Sequence, residues 1–259
     1  MTAATTLLRR AGLPVTDLGP VLADEPAPLL FATVSGAHLY GFPSKDSDVD
    51  LRGVHILPPH DLVGLREPEE TRTRMWDRDG VEMDLVTHDL RKFARLMLRP
   101  NGYVLEQLLS PLVVHTSPLH AELCALVPGV LTRNHAHHYR GFAGTQWRLF
   151  EKTGELKPLL YTFRALLTGI HLMRSGRVLA HLPTLLGQVA APAYLPGLIA
   201  AKAEAEHGAA EELDTAAVER DVEGLHRVLD EARTRSLLAD AVTEFDALNE
   251  LVVRARLGD

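Results

Sequence analysis

The chain has 259 residues, 46% of them apolar and 24% charged, enough for one large domain or two smaller ones sharing an interface. Its formal net charge of -7 excludes a protein that coats nucleic acid by charge alone, because such binders carry an excess of Lys and Arg. The single Cys124 excludes an internal disulfide, and its setting in LHAELCALV reads as a buried structural thiol rather than a nucleophile. No run of about 18 apolar residues occurs, and the first residues lack the pattern of a secretory signal. A soluble, cytoplasmic protein with no membrane partner is the expectation. Charge is uneven along the chain: Arg133, Arg140, Arg148, Lys152, Lys157, Arg164, Arg174 and Arg177 meet only Glu151 and Glu155, whereas the chain from Glu204 onward is acidic. The middle is therefore a candidate anion-binding surface, or equally a solvated basic helix face.

The first 28 residues open with a short helical pattern and then become rich in Pro and Gly, as in an arm leading into the fold. Leu29 to Val34 (LLFATV) fits a buried strand ending at Ser35-Gly36. A Gly-bounded turn is expected next, and then a second strand through Val49, Leu51, Val54 and Ile56. Because strand side chains alternate, Asp48, Asp50 and Arg52 share the face opposite Val49 and Leu51. ETRTRMWDRDGVEMDLVTHDL predicts an antiparallel hairpin around Asp79-Gly80, with Glu82 and Asp84 on one face and Val81, Met83 and Leu85 on the other. Thr87 or Asp89 is placed to cap the helix through Leu90, Phe93, Ala94, Met97 and Leu98. Beyond Pro100-Asn101-Gly102 the pattern is helical nearly to the end, through AYLPGLIAAKAEAE and acidic closing helices. This shift implies an α+β fold. Residues 1–115 are expected to form a domain with a small mixed sheet and flanking helices, and residues 116–259 a helical domain closing over a ligand cleft.

Chemistry concentrates in SGAHLYGFPSKDSDVDLRGV, residues 35 to 54. With Gly36, Gly41, Asp48 and Asp50 in the places of Gly-Ser, a second Gly and Asp-x-Asp, this segment resembles the signature of the DNA polymerase beta-type nucleotidyltransferase superfamily. Through Tyr40-Gly41, Ser47-Asp48-x-Asp50 and Arg52-Gly53-Val54 it is similar in particular to the predicted nucleotidyltransferases associated with RNA ligases. The likeness continues through Asp84, the helix from Leu90, Asn101, Glu106 to Leu109, and the region of Lys157, Arg164 and Gly176. It covers most of the chain, more strongly before about residue 110.

Physical chemistry supports the same reading. Nucleotidyl transfer needs divalent ions to neutralise a triphosphate and acidify an acceptor hydroxyl, and carboxylates shared between neighbouring ions serve that end. Mg²⁺ prefers oxygen ligands and keeps several waters, so no His or Cys is required; Mn²⁺ is the alternative ion. A glycine-rich turn lets backbone N–H groups approach phosphate closely. The resemblance implies that Asp48 and Asp50 bridge the ions and that Asp84 completes the set and accepts the hydroxyl proton, with Glu82 as its substitute. Ser35, Gly36, Gly41, Lys45 and Ser47 are then candidates for nucleotide and phosphate contact, as are Lys157 and Arg164 from the helical half. One departure stands out: where the superfamily places a phosphate-binding Ser after the first Gly, this chain has Ala37, with Ser35 or Ser44 left to compensate.

The remaining candidates weigh toward structure. His135, His137 and His138 are poorly spaced for a metal and suit a polar helix start or an anion-facing surface. His38 and His55 lie near the motif, but local structure explains them equally well. Trp147 and Tyr161, at helical spacing with Phe150 and Leu160, read as interdomain core rather than base-stacking residues. The expectation is a metal-dependent transferase that moves a nucleoside monophosphate from a nucleoside triphosphate to an acceptor hydroxyl, with an RNA end as acceptor. The rivals are a catalytically weakened nucleotide-binding or regulatory module, or an enzyme acting on a protein in the manner of an antitoxin or on a small molecule. Oligomeric state has no counterpart in the sequence pattern.

Overall fold

A computed structural model describes residues 3–15, 17–23, 25–204 and 214–258. The elements in chain order are α1 (Ala3–Arg10), α2 (Gly19–Ala23), β1 (Leu29–Val34), α3 (Gly36–Tyr40), β2 (Val49–His55), α4 (Pro59–Val63), β3 (Thr71–Arg78), β4 (Val81–Asp89) and α5 (Leu90–Met97). They continue with α6 (Gly102–Leu108), β5 (Val113–His115), α7 (Pro118–Val130), α8 (His135–Thr153), α9 (Leu156–Ser175), α10 (Leu182–Leu185), α11 (Leu195–Glu204), α12 (Thr215–Thr234) and α13 (Phe245–Leu257). Residues 205 and 206, the end of the AYLPGLIAAKAEAE pattern, lie outside the described residues. The fold is α+β with a five-stranded mixed sheet in the order β3-β4-β2-β1-β5. Among the described residues no helix is long and apolar enough to cross a membrane.

The sheet follows from alternation. β1 is almost wholly buried and pairs antiparallel with both β2 and β5. β2 and β4 run parallel, with Val49 opposite Met83 and Leu51 opposite Leu85, so the apolar residues of both strands share one face. β3 and β4 form the expected hairpin; Asp79 and Gly80 take φ of 57° and 81°, the positive angles of a tight hairpin turn. Asp89, at the end of β4, accepts from Arg91 N at 2.9 Å and so caps α5, which the sequence had left open between it and Thr87.

Two compact units emerge: residues 1–39, 48–130 and 241–259 form the first, and residues 40–47 and 131–240 the second. This differs from the 1–115 and 116–259 division drawn from the change of pattern. α7 is helical in sequence, yet Leu123, Val127 and Val130 are buried and the helix packs on α6 and β1. α13 returns to the first unit against α5 and α7, where Arg256 pairs with the fully buried Asp89 at 2.6 Å. Change of secondary structure therefore did not mark change of core.

The N-terminal segment is also more than an arm. Leu8, Leu13, Leu18 and Leu22 are buried, Arg78 donates to Asp17 O at 2.8 Å, and Arg74 pairs with Glu25 at 3.1 Å. Arg74 lies opposite Leu85 in the ladder, so this contact is on the sheet face away from Asp84.

In the second unit α8, α9 and α12 pack together, with α9 buried along most of its length. Gly154 and Gly176, both at φ 68°, end α8 and α9 in the left-handed conformation, and each donates its N–H back into the last turn. Arg133 pairs with Asp240 at 2.9 Å and Arg140 pairs with Asp230. Part of the basic middle segment is thus neutralised by the acidic C-terminal third.

Candidate active site

The parallel register between β2 and β4 sets Asp50 directly opposite Asp84. Both carboxylates lie on the face opposite the buried Leu51 and Leu85, and both are partly accessible, with side-chain exposures of 27% and 23%. Asp48 is exposed and stands one residue ahead of β2. Glu82 is exposed two residues before Asp84, opposite Asp77 of β3.

Arg52 lies on the same face as Asp50 and is buried between the two carboxylates. Nη2 donates to Asp50 Oδ1 at 2.7 Å and to Asp84 Oδ2 at 2.9 Å. Nη1 donates to Leu51 O at 2.8 Å and Asp84 O at 3.0 Å, and Nε donates to the Tyr103 hydroxyl at 3.0 Å. All five N–H donors of the guanidinium are engaged. Burial by itself would lower the pKa of this group, but Tyr103, Asp50 and Asp84 outweigh it and raise it, so the charge is permanent. Asp84 Oδ1 remains buried with no hydrogen-bond partner.

Directly after β1, Ser35 N donates to Asp50 O at 2.8 Å. Ser35 is fully buried and its Oγ has no hydrogen-bond partner. Gly36 takes φ 60°, and a β-carbon there would stand 1.8 Å from Asp50 Oδ2, so only glycine fits under this carboxylate. Residues 36–40 form a short helix rather than the open turn expected, and Ala37 within it is buried.

The other phosphate candidates lie in the second unit. Gly41, at φ 83°, packs against His181 and Pro183. Lys45 is exposed, whereas Ser47 is buried, with Oγ 3.0 Å from Ser44 Oγ and accepting from Ser44 N at 2.9 Å. Lys157 is partly buried in the first turn of α9. Arg164 is 3% exposed, with its guanidinium 3.9 Å above the Tyr40 ring and Phe142 and Tyr161 beside it. Tyr161 in turn clusters with Tyr40 and Phe42. Trp147 contacts Phe150, as helical spacing implied.

Sequence reasoning passed over Lys202. It is 1% exposed on α11 and donates from Nζ to Ser44 Oγ at 3.1 Å. The available signal was spacing: Leu195, Leu198 and Lys202 lie on one helical stripe, so the lysine occupies an apolar-face position. Tyr103, the partner of Arg52, was also missed.

His38, His55 and His135 make local structural contacts. His38 Nδ1 lies 3.0 Å from Ala11 O, and His55 Nδ1 lies 2.9 Å from Thr87 Oγ1. Burial, reinforced by Arg72, pushes the pKa of His55 down to about 4. His135 is fully buried beside Thr132 and is lowered to about 4 by burial, while His137 is exposed. Burial raises the pKa of the Cys124 thiol, which disfavours a nucleophilic thiolate.

Among the described residues no group of three or more His, Cys, Asp or Glu side chains is arranged to hold a metal ion. The Asp50 and Asp84 pair nevertheless offers only carboxylate oxygen, which suits a hard divalent cation, and Asp84 Oδ1 lacks any protein partner. The donor set therefore fits the divalent metals that nucleotidyltransferases typically use.

Residues 15–254 match the RNA repair pathway DNA polymerase beta family. An uncharacterized protein from Methanocaldococcus jannaschii is 34% identical over 153 residues, covering 57% of this chain; the match spans 61% of that relative's length. A solved nucleotidyltransferase-like protein from Exiguobacterium sibiricum is 11% identical, with 89% of this chain and 74% of that one covered at a TM-score of 0.32. With the family match running nearly end to end, the chain belongs to the RNA repair pathway DNA polymerase beta family, of polymerase beta-type nucleotidyltransferases.

Proposed function

We propose that this chain transfers a nucleoside monophosphate from a nucleoside triphosphate to an acceptor hydroxyl and releases pyrophosphate, in the presence of Mg²⁺ or Mn²⁺. The observation that supports it is the in-register pair of Asp50 and Asp84 beside a glycine that only a missing side chain accommodates. Asp48, Asp50 and Asp84 would hold the ion, which when bound neutralises triphosphate charge and acidifies the acceptor hydroxyl. The acceptor oxygen forms a bond to the α-phosphorus. The bond from that phosphorus to the α,β-bridging oxygen breaks, and its electron pair leaves with pyrophosphate. Asp84, on the strand beside Asp50, accepts the hydroxyl proton. Lys45 and Ser47, which run directly into Asp48, are the phosphate-side candidates, together with Ser35 behind Gly36.

An RNA end is the acceptor favoured, on the strength of the family's description as an RNA repair pathway family. A cytoplasmic setting goes with that substrate. The test incubates the purified protein with each α-labelled nucleoside triphosphate, Mg²⁺ or Mn²⁺, and pooled RNA, following pyrophosphate and label transfer. Label on RNA that disappears in Asp50→Asn and Asp84→Asn supports the reading. Ala37 favours a second reading, a regulatory module that binds triphosphate without turning it over. Tight triphosphate binding with no pyrophosphate under any acceptor would establish that reading instead.

A further inference from the structure

We infer that Arg52 is a built-in counter-ion: it holds Asp50 and Asp84 together in the metal-free protein and leaves Asp84 Oδ1 for an ion. The nucleotide-free site consequently takes a divalent cation weakly. This inference rests on the reading of Asp50 and Asp84 as metal ligands.

The strand register creates a problem that Arg52 solves. Opposite positions in a ladder bring side chains close, and two like charges placed so are destabilising. Arg52 is two residues beyond Asp50 on the same strand, so alternation puts it on the same face, and its Nη2 bridges both carboxylates. The formal charge of -2 on the two carboxylates becomes -1 for the trio. The bridge consumes Asp50 Oδ1 and Asp84 Oδ2, which leaves the buried Asp84 Oδ1 as the oxygen without a protein partner.

Geometry also fixes the guanidinium in place. Nη1 is held by two strand carbonyls, Leu51 O and Asp84 O, and Nε by the Tyr103 hydroxyl. Swinging the side chain away would break five hydrogen bonds, two of them to carboxylates, from a buried position. An ion must therefore bind beside Arg52 rather than replace it. A fixed positive charge at contact distance from the ligands opposes a dication, and because Arg52 itself is mostly buried it is screened less than a surface charge. The ion would arrive with the charge of the triphosphate. Arg52 is thus a positioning residue, one that sets carboxylate geometry and the metal affinity of the resting protein.

Titration of the nucleotide-free protein with Mn²⁺ alone, paired with thermal melting in EDTA and in Mn²⁺, tests this. Arg52→Met is expected to bind Mn²⁺ about tenfold more tightly than the native chain, or better. It should melt at lower temperature in EDTA, with Mn²⁺ restoring the loss. Arg52→Lys, which keeps a charge but cannot make five bonds, should fall between the two in affinity and guards against failure of the Met variant to fold. Adding Asp84→Asn to either variant should remove the gain. Unchanged Mn²⁺ affinity in both folded variants, against measurable binding by the native chain, overturns the counter-ion role alone. Absence of Mn²⁺ binding in every protein, with triphosphate also present, overturns the inference together with the metal-site reading beneath it.

Discussion

Gly36 and Asp50 are fitted to each other: Asp50 Oδ2 occupies the space where a β-carbon at position 36 would be, 1.8 Å from its centre, and Gly36 itself takes φ 60°. Two independent reasons thus demand glycine, the contact and the backbone conformation. Gly36→Ala is expected to cost about 1–3 kcal/mol of stability and to displace the Asp50 carboxylate. Urea unfolding checks the first effect and pyrophosphate release the second. A variant as stable and active as the native chain would contradict this account of the contact.

Replacing either member of the carboxylate pair by Asn keeps shape but removes charge. Under the proposed reaction Asp50→Asn and Asp84→Asn each lower the rate of pyrophosphate release by about 100-fold or more. Both variants should remain folded by circular dichroism, since Asn can still accept from Arg52. Full turnover in either would count against the assigned site.

Ala37 is buried in the short helix after Gly36, where the superfamily pattern places a phosphate-binding serine. A hydrogen bond to a charged acceptor contributes about 1.5–3 kcal/mol. Ala37→Ser is accordingly expected to lower the KM for triphosphate about tenfold or to raise kcat/KM by a similar factor. Steady-state kinetics with the preferred triphosphate reads this directly, and no gain would mean that other donors already serve the phosphate.

Two ion pairs tie α13 to the first unit, and burial separates their worth. Arg256 and Asp89 have side-chain exposures of 8% and 0%, while Arg254 and Glu122 have 45% and 42%. Arg256→Met leaves a buried carboxylate short of its cation and should cost about 3 kcal/mol, whereas Arg254→Ala should cost less than about 1 kcal/mol. Equal effects in urea unfolding would refute the ordering.

Acid should destabilise the fold through two buried histidines. His55 and His135 stay neutral in the folded protein down to about pH 4, while in the unfolded chain they protonate near 6.5. Between those values the unfolded state binds more protons, so stability falls as pH drops, by at most about 1.4 kcal/mol per pH unit for each histidine. Above the unfolded value neither contributes a slope. Urea unfolding of His55→Gln and His135→Gln between pH 7 and 5 should show a flatter decline than the native chain.

Local pattern determined much of this protein. The alternation through Val49, Asp50, Leu51 and Arg52 and the Asp79-Gly80 turn depend only on neighbours in sequence, and both appear in the fold as read. The same alternation put Asp50 and Arg52 on one face before any pairing was known. Register was another matter. That Asp84 stands opposite Asp50, and that Arg52 bridges them with Tyr103 behind it, follows from β4 adding parallel to β2 across a connection of more than 20 residues. No local periodicity encodes that pairing. Burial of Arg164 among aromatic rings and of Lys202 against Ser44 likewise reverses what their charge suggests, because long side chains reach partners remote in sequence. The sequence by itself marked β1 to β4, the hairpin turn and the acidic motif, since those are set by sterics and two-residue alternation, but it showed neither β5 nor the short helix over residues 36–40. Only the tertiary structure decided which carboxylates meet, which cations are spent inside, and that α7 and α13 share the first unit with the sheet, because those outcomes depend on packing between distant segments.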